Sequence, residues 1–188
     1  MGFEEERWEQ PLDLAELGEL TAQWLEGERW APWNGGSPPD PETARLVPYL
    51  VAMNRHGYAT DFSQPGEADS LGSQRASVDG LCDRDCAERL ASLSLATELV
   101  VITHYPGVDA VYEIPVTQSE GRTFTIAAGC LSASELWEGM HPQTVERLAA
   151  AYYVTVLDPQ WGRDDLLWSA VVAALQRPDP ARGLIEVQ

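Results

Sequence analysis

No lysine occurs among the 188 residues; all twelve basic side chains are arginine. That absence excludes Schiff-base chemistry, pyridoxal-phosphate catalysis and a phosphate loop completed by lysine, because each needs a primary amine. The glycines form no GxGxxG or Walker pattern, so no phosphate cradle is expected. No apolar run approaches the ~18 residues of a membrane span. The opening Met1-Gly2-Phe3-Glu4-Glu5-Glu6 has neither the cationic end nor the apolar stretch of a signal peptide, which predicts a cytoplasmic protein. Gly2 lacks the Ser or Thr that myristoylation requires at the sixth position.

Histidine and cysteine are scarce as well. Cys82, Cys86 and Cys130 form an odd set of three, read as reduced, buried thiols rather than a disulfide framework. His56, His104 and His141 show no HExxH or facial-triad spacing, and the cysteines form no paired CxxC. No metal and no cofactor are expected. Cys82 and Cys86, four apart, could share one helical face and bind zinc with His104, but such a site needs further ligands that the sequence does not point to.

What is abundant is acid. Thirty carboxylates against twelve arginines give a formal charge of −18. No basic stripe exists to neutralise phosphates, so direct binding of DNA or RNA is not expected. The acidity has two readings: a solvated surface typical of arginine-for-lysine, high-GC coding, or an inhibitor that mimics nucleic acid in a basic groove.

With 44% hydrophobic residues, the chain can bury one sizeable core. Asp13 and Glu16 have capping-box spacing, with Leu12 and Leu17 as a hydrophobic staple and Gly27 as the stop of the first helix. A second helix runs over about Leu46–His56, with Pro48 in its first turn and Gly57 at its end. Strands are expected at Tyr58–Phe62, Gln74–Leu81, Leu99–His104 (interior) and Tyr152–Leu157. Val111–Val116 and Thr123–Ala127 read as a hairpin turning through Ser119-Glu120-Gly121. Asp83 caps a helix reaching about Ala96, Ser132 and Glu135 open a short one, and further helices cover about Pro142–Ala150 and Asp164–Gln176. This alternation predicts an α/β or α+β fold: one domain over 1–188, a mixed β-sheet flanked by helices, and a Trp-rich acidic N-terminal arm over about 1–40. Within residues 1–50, eleven acids against three arginines give −8, and four indoles crowd the first 33 residues. Such an arm suits a basic protein partner, or pins itself onto the domain.

Candidate chemistry concentrates at Thr60-Asp61-Phe62-Ser63-Gln64-Pro65-Gly66, a polar strand end of the kind where ligands sit. Asp61 and Ser63 share one strand face and Thr60 and Phe62 the other; the competing reading is a turn held by local bonds. Gln74 and Arg75 open the next strand. There Arg75 can grip an anionic group, or pair structurally with Asp61 or Asp79. His104 closes an apolar strand, a good position for a general base, and Asp61 is its natural partner. Cys82 beside a helix N-terminus is the candidate nucleophile, opposed by the charge of Asp83 and Asp85.

Three blocks carry a resemblance: LAELGELTAQWLEGE at 14–28, LVAMNRHGYATDFSQPGE at 50–67 and QRASVDG at 74–80. They resemble an uncharacterised domain family of actinomycetes, especially streptomycetes, and their phages. The resemblance implies an intracellular actinobacterial or actinophage origin, picks out Thr60–Gly66, and brings no activity. The second block also has the helix–Gly–strand layout of small phage and bacterial proteins ending in Ser-Cys-x-Gly-His. Here the ending is Ser63-Gln64-Pro65-Gly66, so chemistry resting on that Cys or His does not carry over.

Three functions remain. The first is a soluble binding protein for a small polar molecule or a protein partner, using Thr60, Ser63, Gln64, Gln74 and Arg75. The second is a cofactor-free hydrolase, lyase or isomerase using His104 with Asp61 or Cys82. The third is the acidic phage-type inhibitor.

Overall fold

The computed structural model describes residues 9–28, 38–69, 72–108, 111–120, 122–129 and 140–177. Helix α1 (Leu14–Leu25) starts where its local signals predict. The Asp13 carboxylate accepts from Glu16 N at 2.8 Å, and the Glu16 carboxylate accepts from Asp13 N at 3.0 Å. Leu12 and Leu17 are buried in one cluster, completing the staple. The helix stops in a Schellman turn: Gly27 N donates to Trp24 O and Glu28 N to Gln23 O, with Gly27 at φ 75°. That left-handed backbone suits glycine because it has no Cβ.

A 3₁₀ turn (Pro41–Arg45) leads into α2 (Val47–Arg55), where Pro48 sits in the first turn with no N–H to waste. Leu46, Leu50 and Met53 point inward as their spacing predicts. Strand β1 (Tyr58–Gln64) follows, then β2 (Gly72–Gln74), β3 (Ser77–Cys82), α3 (Arg84–Ala91, capped by Asp83) and α4 (Leu93–Ala96). The second half adds β4 (Val100–His104), β5 (Val111–Ser119), β6 (Arg122–Gly129), α5 (Pro142–Ala149), β7 (Tyr152–Leu157) and α6 (Leu167–Gln176).

The strands form two antiparallel sheets, ordered β1-β3-β7-β4 and β2-β5-β6, so the architecture is α+β. β1 and β3 are neighbours, with Gln64 opposite Ser77 and Tyr58 opposite Cys82. Three details differ from the sequence reading. The expected Gln74–Leu81 strand is split at Arg75-Ala76, where the chain leaves one sheet for the other. The expected interior strand ending at His104 lies at a sheet edge, because β7 rather than β4 takes the centre. Ser92 interrupts the helix expected to reach Ala96. The short helix expected from Ser132, together with Cys130, Trp8, Trp30 and Trp33, lies outside the described residues.

The two faces of the larger sheet differ chemically. One presents Tyr58, Val78, Cys82, Val154 and Val156 to α2, α3 and α6 and forms the main core. Each large buried side chain there contributes about 1.5–3 kcal/mol. The Tyr58 hydroxyl is buried with the carbonyls of Val154 and Val78 at 2.8 and 3.1 Å. The other face carries Ala59, Leu81 and Tyr153, packed with Leu12, Leu17, Leu20 and Leu148 from the segments at α1 and α5. No helix among the described residues is long and apolar enough to cross a membrane.

Candidate functional site

A cleft of about 270 Å³ opens between α1, the segment around the 3₁₀ turn and β1. Its apolar wall includes Leu17, Trp24, Leu50 and Phe62, and its polar lining includes Asp40, Glu42, Asp61 and Ser63. Local structure explains why β1 supplies so much of it. The β1–β3 pairing slips between Thr60 and Phe62, a bulge that re-aims side chains and blunts this edge against further strand pairing.

Asp61 faces the sheet side shared with Tyr153, whose hydroxyl donates to Asp61 Oδ2 at 3.3 Å. This is long for an O–H···O bond, and it engages only one carboxylate oxygen. Asp61 is an exposed residue, yet crowding around its carboxyl group raises its pKa; the Tyr153 bond pulls the other way. Behind it sits Asp79, only 3% exposed, bonded by the Thr155 hydroxyl. Burial pushes Asp79 up to about 7, the Thr155 bond opposes this, and the negative charge of Asp61 adds to the rise.

Register shows which groups face one another. Ala59 pairs with Leu81, Leu81 with Tyr153 and Tyr153 with His104, so all four point to the same side. His104 and Asp61 therefore share a face, with Tyr153 between them: the His104 and Tyr153 rings are 6.2 Å apart. His104 is buried, and loss of hydration lowers its pKa, favouring neutral imidazole.

The remaining candidates divide by their partners. Thr60 borders the cleft, but its hydroxyl accepts from Asn54 Nδ2 at 2.7 Å and its N–H donates to Asn54 Oδ1. Gln64 also borders it while its amide ties the sheets together, donating to Val116 O and Arg75 O and accepting from Thr117. Ser63 borders the cleft, and its hydroxyl forms no side-chain hydrogen bond among the described residues. Gln74 and Arg75 do not join this cleft. Arg75 donates to Pro115 O at 2.9 Å, and its guanidinium stacks 4.2 Å from the Trp161 ring centre. It pairs with neither Asp61 nor Asp79; the break before β3 turns it toward the seam between the sheets.

Cys82 lies on the opposite, helix-covered face, wholly buried beside Cys86. Hydrogen bonding with Cys86 and burial both raise its pKa, so a thiolate is disfavoured there. Among the described residues no three His, Cys, Asp or Glu side chains converge as a metal cage.

Asp40, Glu42 and Phe62 line the cleft without having been singled out as binding residues, and Asp79, Tyr153 and Thr155 stand behind it. One signal for Asp79 was present: an acid flanked by Val78 and Gly80 in an otherwise apolar or small-residue strand. Asp40 and Glu42 gave none, since acids in a proline-rich loop are normally just solvated.

No curated protein matches the chain. A family model does, over residues 3–178, and its description is Domain of unknown function (DUF6919). That match spans nearly all of the sequence and includes every element lining the cleft, so the chain belongs to this family.

Proposed function

We propose that the protein binds a small polar molecule in the cleft between α1, the Pro39–Thr43 segment and β1. The observation that supports this most is Asp61: a carboxylate held against apolar walls, with one oxygen loosely engaged and a preformed concavity in front of it. Reduced hydration disfavours the ionised form of its carboxyl group, and a bound ligand that donates hydrogen bonds or positive charge would offset that loss. Pockets of this kind combine an apolar lining with few orienting polar groups, here Asp61 and Ser63. A thermal-shift survey of small polar metabolites tests the reading. Hits should stabilise the parent chain and lose that effect in Asp61→Asn, yet keep it in Arg75→Gln, whose side chain lies at the sheet seam. Equal shifts in the parent and Asp61→Asn, or loss only in Arg75→Gln, contradict it.

A second reading is acid–base catalysis, favoured by Asp61, Asp79, Tyr153 and His104 sharing one sheet face. Asp79 would hold a proton near neutral pH and His104 would accept one. Mass spectrometry of a bound hit after prolonged incubation separates the two readings: complete recovery of unaltered ligand argues against chemistry.

A further inference from the structure

Taking the cleft as the binding site, we infer that its ligand is a small organic cation: a protonated amine or guanidinium on a compact apolar body. Among the described residues, the lining contains three carboxylates, Asp40, Glu42 and Asp61, and neither arginine nor histidine. Neighbouring guanidinium groups are committed elsewhere. Arg55 grips Glu19 and Glu26 along α1, and Arg45 pairs with Glu67 and Asp164. No described residue of the lining therefore cancels the negative charge, and Asp79 behind Asp61 adds to it when ionised. An anionic ligand would meet repulsion in a partly desolvated space, where charges interact more strongly than in water. A cation would relieve that repulsion and restore to Asp61 the stabilisation lost by crowding.

The walls define the rest of the molecule. Phe62 is 37% exposed, a large ring left open at the cleft, and Trp24 stands on the opposing helix. Aromatic faces attract cations as well as apolar surface. At the ~30 Å³ that one water occupies in the liquid, the cleft holds roughly nine water-sized atoms. That is about the size of phenethylamine, and also of agmatine.

Isothermal titration calorimetry of the full chain near neutral pH with phenethylamine, agmatine, 2-phenylethanol and phenylacetate reads the charge preference directly. Either cation should bind at least about ten-fold tighter than the alcohol, with no saturable heat from phenylacetate. Asp61→Asn should bring the cation and the alcohol to within about three-fold of each other. Should that variant lose its circular dichroism, the rim pair Asp40→Asn with Glu42→Gln must still weaken the cation by about three-fold or more and leave the alcohol unchanged. Neutral or anionic compounds that enter the cleft as tightly as the cations overturn this inference and leave the cleft as a binding site. Failure of every compound, whatever its charge, removes both.

Discussion

At the scale of single residues, Asp79 is the side chain whose behaviour separates this account from a generic one. Its carboxyl group is buried on a face shared with Asp61, and burial raises its pKa to about 7. In the unfolded chain it titrates near an ordinary ~3.9. The folded state therefore binds more protons between those values, and stability must fall as pH rises through that window. Its contribution is fully present below about pH 4 and gone above about pH 8, a change of about 4 kcal/mol. Asp79→Asn keeps an acceptor for Thr155 and removes the ionisation. Denaturant melts from pH 4.5 to 8.5 should show a shallower pH slope for this variant and higher stability than the parent at pH 8.5. A slope as steep as the parent's would place the titrating group elsewhere. Asp61 was legible in the sequence because a polar strand end is a local feature. Tyr153, which bonds Asp61, and Thr155, which bonds Asp79, were not, since the register bringing β7 beside β3 joins residues far apart in sequence.

At the scale of elements, what could be read in advance was whatever a few adjacent residues decide. The capping box, the Gly27 stop, the Asp83 cap and the Pro48 entry appear where their local chemistry predicts. Sheet order did not follow, because an apolar run such as Val100–Ile102 suits either an edge or a centre until its neighbours are known. The closeness of α1 to α2 was also hidden. Gly18 lies mid-helix, where glycine costs about 1 kcal/mol relative to alanine. A Cβ there would stand 2.5 Å from the carbonyl oxygen of Asn54, the residue that also holds Thr60. Helix propensity favours Gly18→Ala by ~1 kcal/mol, whereas overpacking against rigid backbone costs ~1–3 kcal/mol. Overpacking should win: the denaturation midpoint should fall, and affinity at the cleft should fall with it as α1 is pushed outward. A raised midpoint would mean that the two helices are not pressed together at this position.

At the scale of the whole molecule, the charge of −18 and the cleft lining point the same way. An acidic protein draws cations toward its surface, and a cavity walled by low-dielectric side chains concentrates that field. The two faces of the larger sheet differ in the same sense as the proposed division between packing and binding. One face packs the main core, while the other carries an apolar patch under α1 beside the polar groups around Asp61. Amide and indole chemical-shift mapping of the ¹⁵N-labelled chain, titrated with a compound that raises its melting temperature, tests this division most directly. The account predicts the largest perturbations at the Trp24 indole, at Asp61–Ser63 and at Thr43, with Trp161 unmoved. Perturbations centred on Trp161 and the sheet seam, with Trp24 and Asp61 silent, would contradict it.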